Sequence, residues 1–114
     1  MPLLRILKGV QSDAHGKKVY VTDKEQYGLS EYWRAQLKGD CEDQALWKRA
    51  QLKKQGVQSD LILCYTELDE CHLVLNVNGW ILDNRFKEVK RRDDLDYRWV
   101  KLGKPNGKWY EITE

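Results

Sequence analysis

The sequence predicts a single α+β domain, residues 1–114, in which helices come first and an antiparallel sheet second. Three observations predict it. Residues 41–55 lie between an acidic start and Gly56, with lysines and arginines gathered toward the far end, as in a helix. After Val57 the pattern changes to short β-branched and aromatic runs bounded by turn residues. Asn78-Gly79, among the strongest short hairpin signals, separates two of those runs.

The elements follow in order. Leu3, Leu4, Ile6 and Leu7 make the first ten residues apolar, but Arg5 and Lys8 break the run and no cleavage site follows, so it is not read as a signal peptide. No stretch reaches the length of a membrane span. Residues 18–22 (KVYVT) read as a short strand, and His15, beside Gly16, as a loop residue. Ser30 is placed as the N-cap of a short helix through Leu37, stopped by Gly39. Asp40 is placed as the N-cap of the helix over 41–55, with Asp43 as a capping-box-like acid and Gly56 as the stop. Lys48, Arg49, Lys53 and Lys54 crowd its second half, where the helix dipole favours cations. Its apolar stripe is narrow, with Cys41, Ala45 and Leu52 on one side. Strands are expected over 61–66, 71–77, 80–83, 97–102 and 108–113. The charged segment 86–96 is expected to be a surface connection.

Composition excludes several classes. Hydrophobic residues make up 41% and charged residues 33%, an ordinary globular balance. A net charge of +2 spread over both halves gives no basic arm, so no nucleic-acid partner is expected, and no membrane partner either. Cys41, Cys64 and Cys71 form no CxxC or zinc spacing; Cys64 and Cys71 fall on neighbouring strands where they could face each other, and read as small buried thiols. Asp93, Asp94 and Asp96 lack the glycine and terminal glutamate of a calcium-binding EF-hand loop. Lys87, Lys90, Arg91 and Arg92 read as a solvated patch. The tryptophans read as core or hairpin residues, with Trp33 as the exception.

Gly-Asp-Cys-Glu-Asp, residues 39–43, carries the chemistry. It sets Cys41 at the first turn of a helix, where the positive end of the helix dipole favours a thiolate nucleophile. Asp40, Glu42 and Asp43 work against that anion, so either they point away as caps or a bound cation neutralises them. If Asn78-Gly79 is a two-residue turn, Val77 pairs with Trp80, Leu75 with Leu82 and Val74 with Asp83. His72 and Asp83 then share one sheet face as diagonal neighbours, within reach of an imidazole–carboxylate hydrogen bond. The other face carries Leu73, Leu75, Val77, Trp80 and Leu82, and something must cover it. Thiol, imidazole and carboxylate in this order suit a cysteine nucleophile with its base and orienting group.

The set formed by GDCED, an Ala-containing helix, a strand His and a Leu-Asp-Asn strand end resembles the bacterial transglutaminase-like cysteine proteinases, which include the LapG-type periplasmic adhesin proteases. The likeness runs from Tyr32-Trp33 to Gly107-Lys108-Trp109. It implies a papain-like or transglutaminase-like α+β core, with the Cys-bearing helix packed on an antiparallel sheet. It also implies Cys41 as nucleophile, His72 as general base and acid, and Asp83 as the group that orients His72. The oxyanion would be held by the Cys41 N–H and an upstream donor, for which Trp33 and Gln36 are the candidates. In LapG-type members the flanking acids contribute to a calcium site, which maps onto Asp40 and Glu42; the chemistry itself requires no cofactor. The chain is shorter than the secreted members, shows no export signal and lacks the proline usual between Trp33 and Gly39. A small cytoplasmic or phage-encoded relative is therefore expected.

The expected activity is that of a cysteine peptidase, cleaving amide bonds of a protein or peptide through a thioester acyl-enzyme. The same three residues would serve transglutaminase or deamidase chemistry. A non-catalytic domain that binds and inhibits a protein partner is the remaining alternative.

Overall fold

The structure is a computed structural model and describes residues 2–19, 27–37 and 40–113. Helix α1 (Leu3–Ala14) buries Leu7, Val10, Gln11 and Ala14, one face at three- and four-residue spacing. The sequence reading assigned no helix here, although that spacing was present. Helix α2 (Glu31–Gln36) is short and follows Ser30, as expected. Helix α3 (Cys41–Lys54) follows Asp40, but Asp40 does not cap it through its side chain. Its backbone is already helical (φ −81°, ψ −8°), whereas a capping side chain needs an extended residue. Of the strand expected over 18–22, Lys18 and Val19 carry none, and 20–22 lie outside the described residues, as does Gly39.

The strands are β1 (Asp60–Tyr65), β2 (Cys71–Val77), β3 (Trp80–Leu82), β4 (Lys90–Arg91), β5 (Arg98–Gly103) and β6 (Trp109–Glu111). They form one antiparallel sheet in the order β4-β3-β2-β1-β5-β6. The segment expected as a plain surface connection thus contributes β4, an edge strand of two residues, and a 3-10 turn over Arg92–Asp94. Arg91 stacks its guanidinium over the Trp80 ring at 4.6 Å, so a charged stretch is held to the sheet by cation–π contact. Among the described residues no helix is long and apolar enough to cross a membrane.

The hairpin at Asn78-Gly79 has the expected register: Val77 faces Trp80 and Leu75 faces Leu82. Asn78 (φ 51°) and Gly79 (φ 88°) both take the left-handed conformation that a tight two-residue turn demands. One sheet face, with Leu61, Leu63, Leu73, Leu75, Val77 and Leu82, packs against Leu7, Val10, Cys41, Ala45, Leu46 and Leu52 of the helices. This is the cover that the apolar face required. The other face gathers Ile62, Cys64, Val74, Ile81, Tyr97 and Trp99. Cys64 pairs with His72 and Tyr65 with Cys71, so Cys64 and Cys71 lie on opposite faces rather than facing each other. No disulfide joins any of the three cysteines.

Helix α3 buries a wider face than its apolar stripe foretold, including Gln44 and Lys48. Gln44 donates to the carbonyls of Ala14 (3.2 Å) and Lys17 (2.9 Å), tying α3 to the chain at the end of α1. Lys48, expected only as one of the cations that suit the helix dipole, is 1% exposed and so belongs to the packed face.

Candidate active site

Cys41 sits at the first turn of α3, 4% exposed, where α3 packs on β2. His72 belongs to the part of β2 that β3 does not reach, because β3 ends at Leu82 opposite Leu75. Asp83 follows immediately, and the chain turns there: the Phe86 N–H donates to the Asp83 carbonyl at 3.2 Å, and the Arg85 N–H to the Asp83 carboxylate at 2.9 Å. The second bond is the local side-chain-to-backbone turn that aspartates favour. His72 Nε2 and Asp83 Oδ1 are 2.7 Å apart, as the shared sheet face predicts.

The Asp83 side chain is fully buried, so its charge needs partners. Besides His72 and the Arg85 N–H, Tyr97 donates its hydroxyl to Oδ2 at 2.5 Å. Arg85 in turn donates to the Tyr97 oxygen at 2.9 Å and forms a two-pronged pair with Glu67 at 2.7 and 2.6 Å. Burial alone would raise the Asp83 carboxyl, but the His72 and Tyr97 bonds hold it below the ordinary range.

Burial also pulls His72 down, and here the hydrogen bond that its ring donates to Asp83, a second one with Cys41 and the charges of both win. The imidazole is raised to about 9. With Nε2 given to Asp83, Nδ1 is the nitrogen left for Cys41. The three expected residues are therefore brought together, thiol to imidazole to carboxylate. The other two thiols are less available. Burial pushes Cys71 up to about 11 and Cys64 further still.

Trp33 and Gln36 both lie on α2, which leads into Cys41. Trp33 is half-buried, with its ring edge-on to Tyr65 at 6.4 Å, and Gln36 is exposed. Glu42 accepts the Tyr27 hydroxyl, and its Oε2 lies 3.9 Å from Arg34 Nε. Burial and then Asp43 raise its carboxyl. Tyr27 is held by the Trp109 indole N–H on its carbonyl (2.7 Å) and by the close seating of Gly28 on the Gly107 backbone, an approach that a side chain at 28 would block. Asp40 is exposed. Among the described residues no group of three or more His, Cys, Asp or Glu could hold a metal ion. The carboxylates of Asp40 and Glu42 offer only part of the six to eight oxygens that calcium takes, and Glu42 is already engaged by Tyr27.

Four residues of this environment were missed in the sequence. Tyr97 was read only as the start of a strand, Arg85 was not singled out, and Gln11 and Lys48 sit in helices where polar residues read as surface. Gln11 was the most legible of these, since it shares the spacing of Leu7, Val10 and Ala14.

Residues 3–114 match the family model described as bacterial transglutaminase-like cysteine proteinase BTLCP. Among solved structures, calcium-bound LapG of Legionella pneumophila is similar at a TM-score of 0.71 and 23% identity, over 97% of this chain and 70% of that one. A second LapG structure from the same organism gives the same figures. The EGTA-treated form gives a TM-score of 0.71 at 22% identity, over 99% of this chain and 69% of that one. No curated protein matches.

Proposed function

We propose, because the chain belongs to the bacterial transglutaminase-like cysteine proteinases, that it hydrolyses amide bonds of a protein or peptide with Cys41, His72 and Asp83 as its catalytic triad. The observation that carries this reading is the 2.7 Å contact of His72 Nε2 with Asp83, which leaves the other ring nitrogen to Cys41.

In this mechanism the proton shared by Cys41 and His72 rests on the imidazole, whose raised affinity keeps it protonated at neutral pH. The Cys41 sulfur attacks the carbonyl carbon, and the C=O electron pair moves to oxygen. The Cys41 N–H, in the first turn of α3, and one donor from α2 at Trp33 or Gln36 would hold that oxyanion. As the C–N bond breaks, His72 gives its proton to the leaving amine, and a thioester remains on Cys41. Water then attacks the thioester with His72 taking its proton, and the acid departs. Asp83 keeps the imidazole in the required tautomer and orientation throughout.

No step runs through a metal. Calcium enters only as a competitor for Glu42: an ion held by Asp40 and Glu42 would take over the neutralising part that Tyr27 and Arg34 play.

The test is the rate of Cys41 alkylation by iodoacetamide, a reagent small enough for a thiol 4% exposed, measured against pH in wild type and His72→Ala. The reading expects wild type to react readily at neutral pH and His72→Ala to lose that reactivity. Identical profiles that rise only in the ordinary thiol range would refute it. Incorporation of an added primary amine into product would assign the same triad to transfer instead of hydrolysis.

A further inference from the structure

We propose that Gln11 and Lys48 are positioning residues for Asp83: the Gln11 amide grips the turn that carries Asp83, and the Lys48 ammonium fixes which way that amide faces. This inference rests on the reading of Asp83 as the group that orients His72.

Gln11 Nε2 donates to the carbonyl of Asp83 at 2.8 Å and to that of Phe86 at 2.7 Å, with the Glu88 carbonyl at 3.4 Å. These carbonyls belong to the stretch between the end of β3 and the start of β4, where no strand pairing holds the backbone. Gln11 is therefore the brace that α1 extends to the turn beneath His72. An amide can present either end, and what decides here is Lys48, whose Nζ is 2.7 Å from Gln11 Oε1. An ammonium only donates, so the oxygen must face it and the NH₂ must face the carbonyls.

Lys48 and Gln11 are each 1% exposed. Burying an ammonium is costly, and an apolar pair would pack α1 on α3 at less expense. Burial lowers Lys48 to about 8, while the nearby Asp83 carboxylate pulls it back up, so the cation faces the site from behind. A buried lysine kept at this cost, spent on one amide that braces one catalytic turn, is the signature of positioning.

The experiment follows the imidazole of His72 by NMR across pH, which is direct because the chain has two histidines and the other, His15, is exposed. Wild type, Gln11→Met, Lys48→Met and the double variant are compared, each also by Cys41 alkylation at neutral pH. The double variant removes the whole polar pair, so a folded protein remains even where Gln11→Met leaves Lys48 unpaired and fails to fold. Positioning predicts that the His72 midpoint falls by about one pH unit or more from its value near 9, and that alkylation slows in step. Lys48→Met is the most telling arm. By charge alone, losing a neighbouring cation would raise the His72 midpoint, so a fall there reports a lost geometry. An unchanged or raised midpoint in the folded variants overturns the proposal. If those midpoints hold while His72→Ala still slows alkylation, positioning alone is wrong and the triad stands. If His72→Ala also alkylates like wild type, the triad reading falls and takes this inference with it.

Discussion

Tyr97 donates its hydroxyl to Asp83 at 2.5 Å, on the carboxylate oxygen that His72 does not use. The buried carboxylate is thereby satisfied from both sides, and its hold on the imidazole depends on a tyrosine from the far side of β1. Tyr97→Phe keeps the ring that packs edge-on to His72 and removes the hydroxyl, which donates to Asp83 and accepts from Arg85. Hydrogen bonds to charged groups contribute about 1.5–3 kcal/mol, so urea denaturation should show a loss in that range. Cys41 alkylation at neutral pH should slow as well, because a less anionic Asp83 supports His72 less. A variant as stable and as reactive as wild type would remove Tyr97 from the site.

The raised imidazole makes stability depend on pH in a fixed direction. The His72 folded-state affinity for its proton, about 9, exceeds the ordinary 6.5, so folding is favoured while the proton is bound in both states. That contribution, up to about 3 kcal/mol, is complete below pH 6.5 and is lost as pH rises through 9. Lys48 works oppositely. Its affinity is lowered to about 8 from 10.5, so the cost of its buried charge is complete below 8 and disappears toward 10.5. Urea midpoints should therefore fall most steeply between pH 6.5 and 8, flatten between 8 and 9, and recover toward 10.5. His72→Gln should abolish the fall. Asp83, held below its ordinary range, adds a second loss on the acid side as pH drops below about 3.8. A wild-type profile flat from pH 6 to 9 would mean that the imidazole is not held as described.

Three thiols outside any disulfide give an internal control. Cys71 is half-buried and pushed up to about 11, first by burial and then by the charge of Cys41, while Cys64 is fully buried. Neither has a protonated imidazole donated to its sulfur. One equivalent of iodoacetamide at pH 7 should therefore label Cys41 ahead of both, as peptide mass mapping would show. Labelling led by Cys71 would place the reactive thiol elsewhere.

The hairpin was legible because Asn78-Gly79 has few alternatives: once the turn has two residues, alternation alone puts His72 and Asp83 on one face. The cover over Leu73 and Leu75 was legible as a need, but not its source, since α1 was not assigned. What stayed hidden were polar groups whose partners lie far along the chain. Gln11 meets Asp83 across 72 positions and Lys48 meets Gln11 across 37, and no periodicity records such pairs. Lys48 misled for a physical reason. A lysine near a helix C-terminus has a sufficient local explanation in the dipole, which conceals a tertiary one. Asp40 misled similarly, as its type suits a cap while its backbone does not.

The acids beside Cys41 lead to the last prediction. A bare carboxylate at Glu42 would disfavour a thiolate one residue away, and the structure neutralises it with the Tyr27 hydroxyl and the Arg34 guanidinium. Arg34 lies 3.9 Å from the carboxylate and is half exposed, so it holds Glu42 loosely and its direct contribution to stability is small. Its removal should matter through what replaces it. In Arg34→Ala, Glu42 loses its cation while Asp40 stays open to solvent, and a divalent ion with a preference for oxygen becomes the best substitute. Melting temperature in calcium should then exceed that in EGTA by more in Arg34→Ala than in wild type. Glu42→Gln, which removes the charge, should erase the difference in both. Equal responses to calcium in wild type and Arg34→Ala would show that arginine and calcium do not compete for this carboxylate.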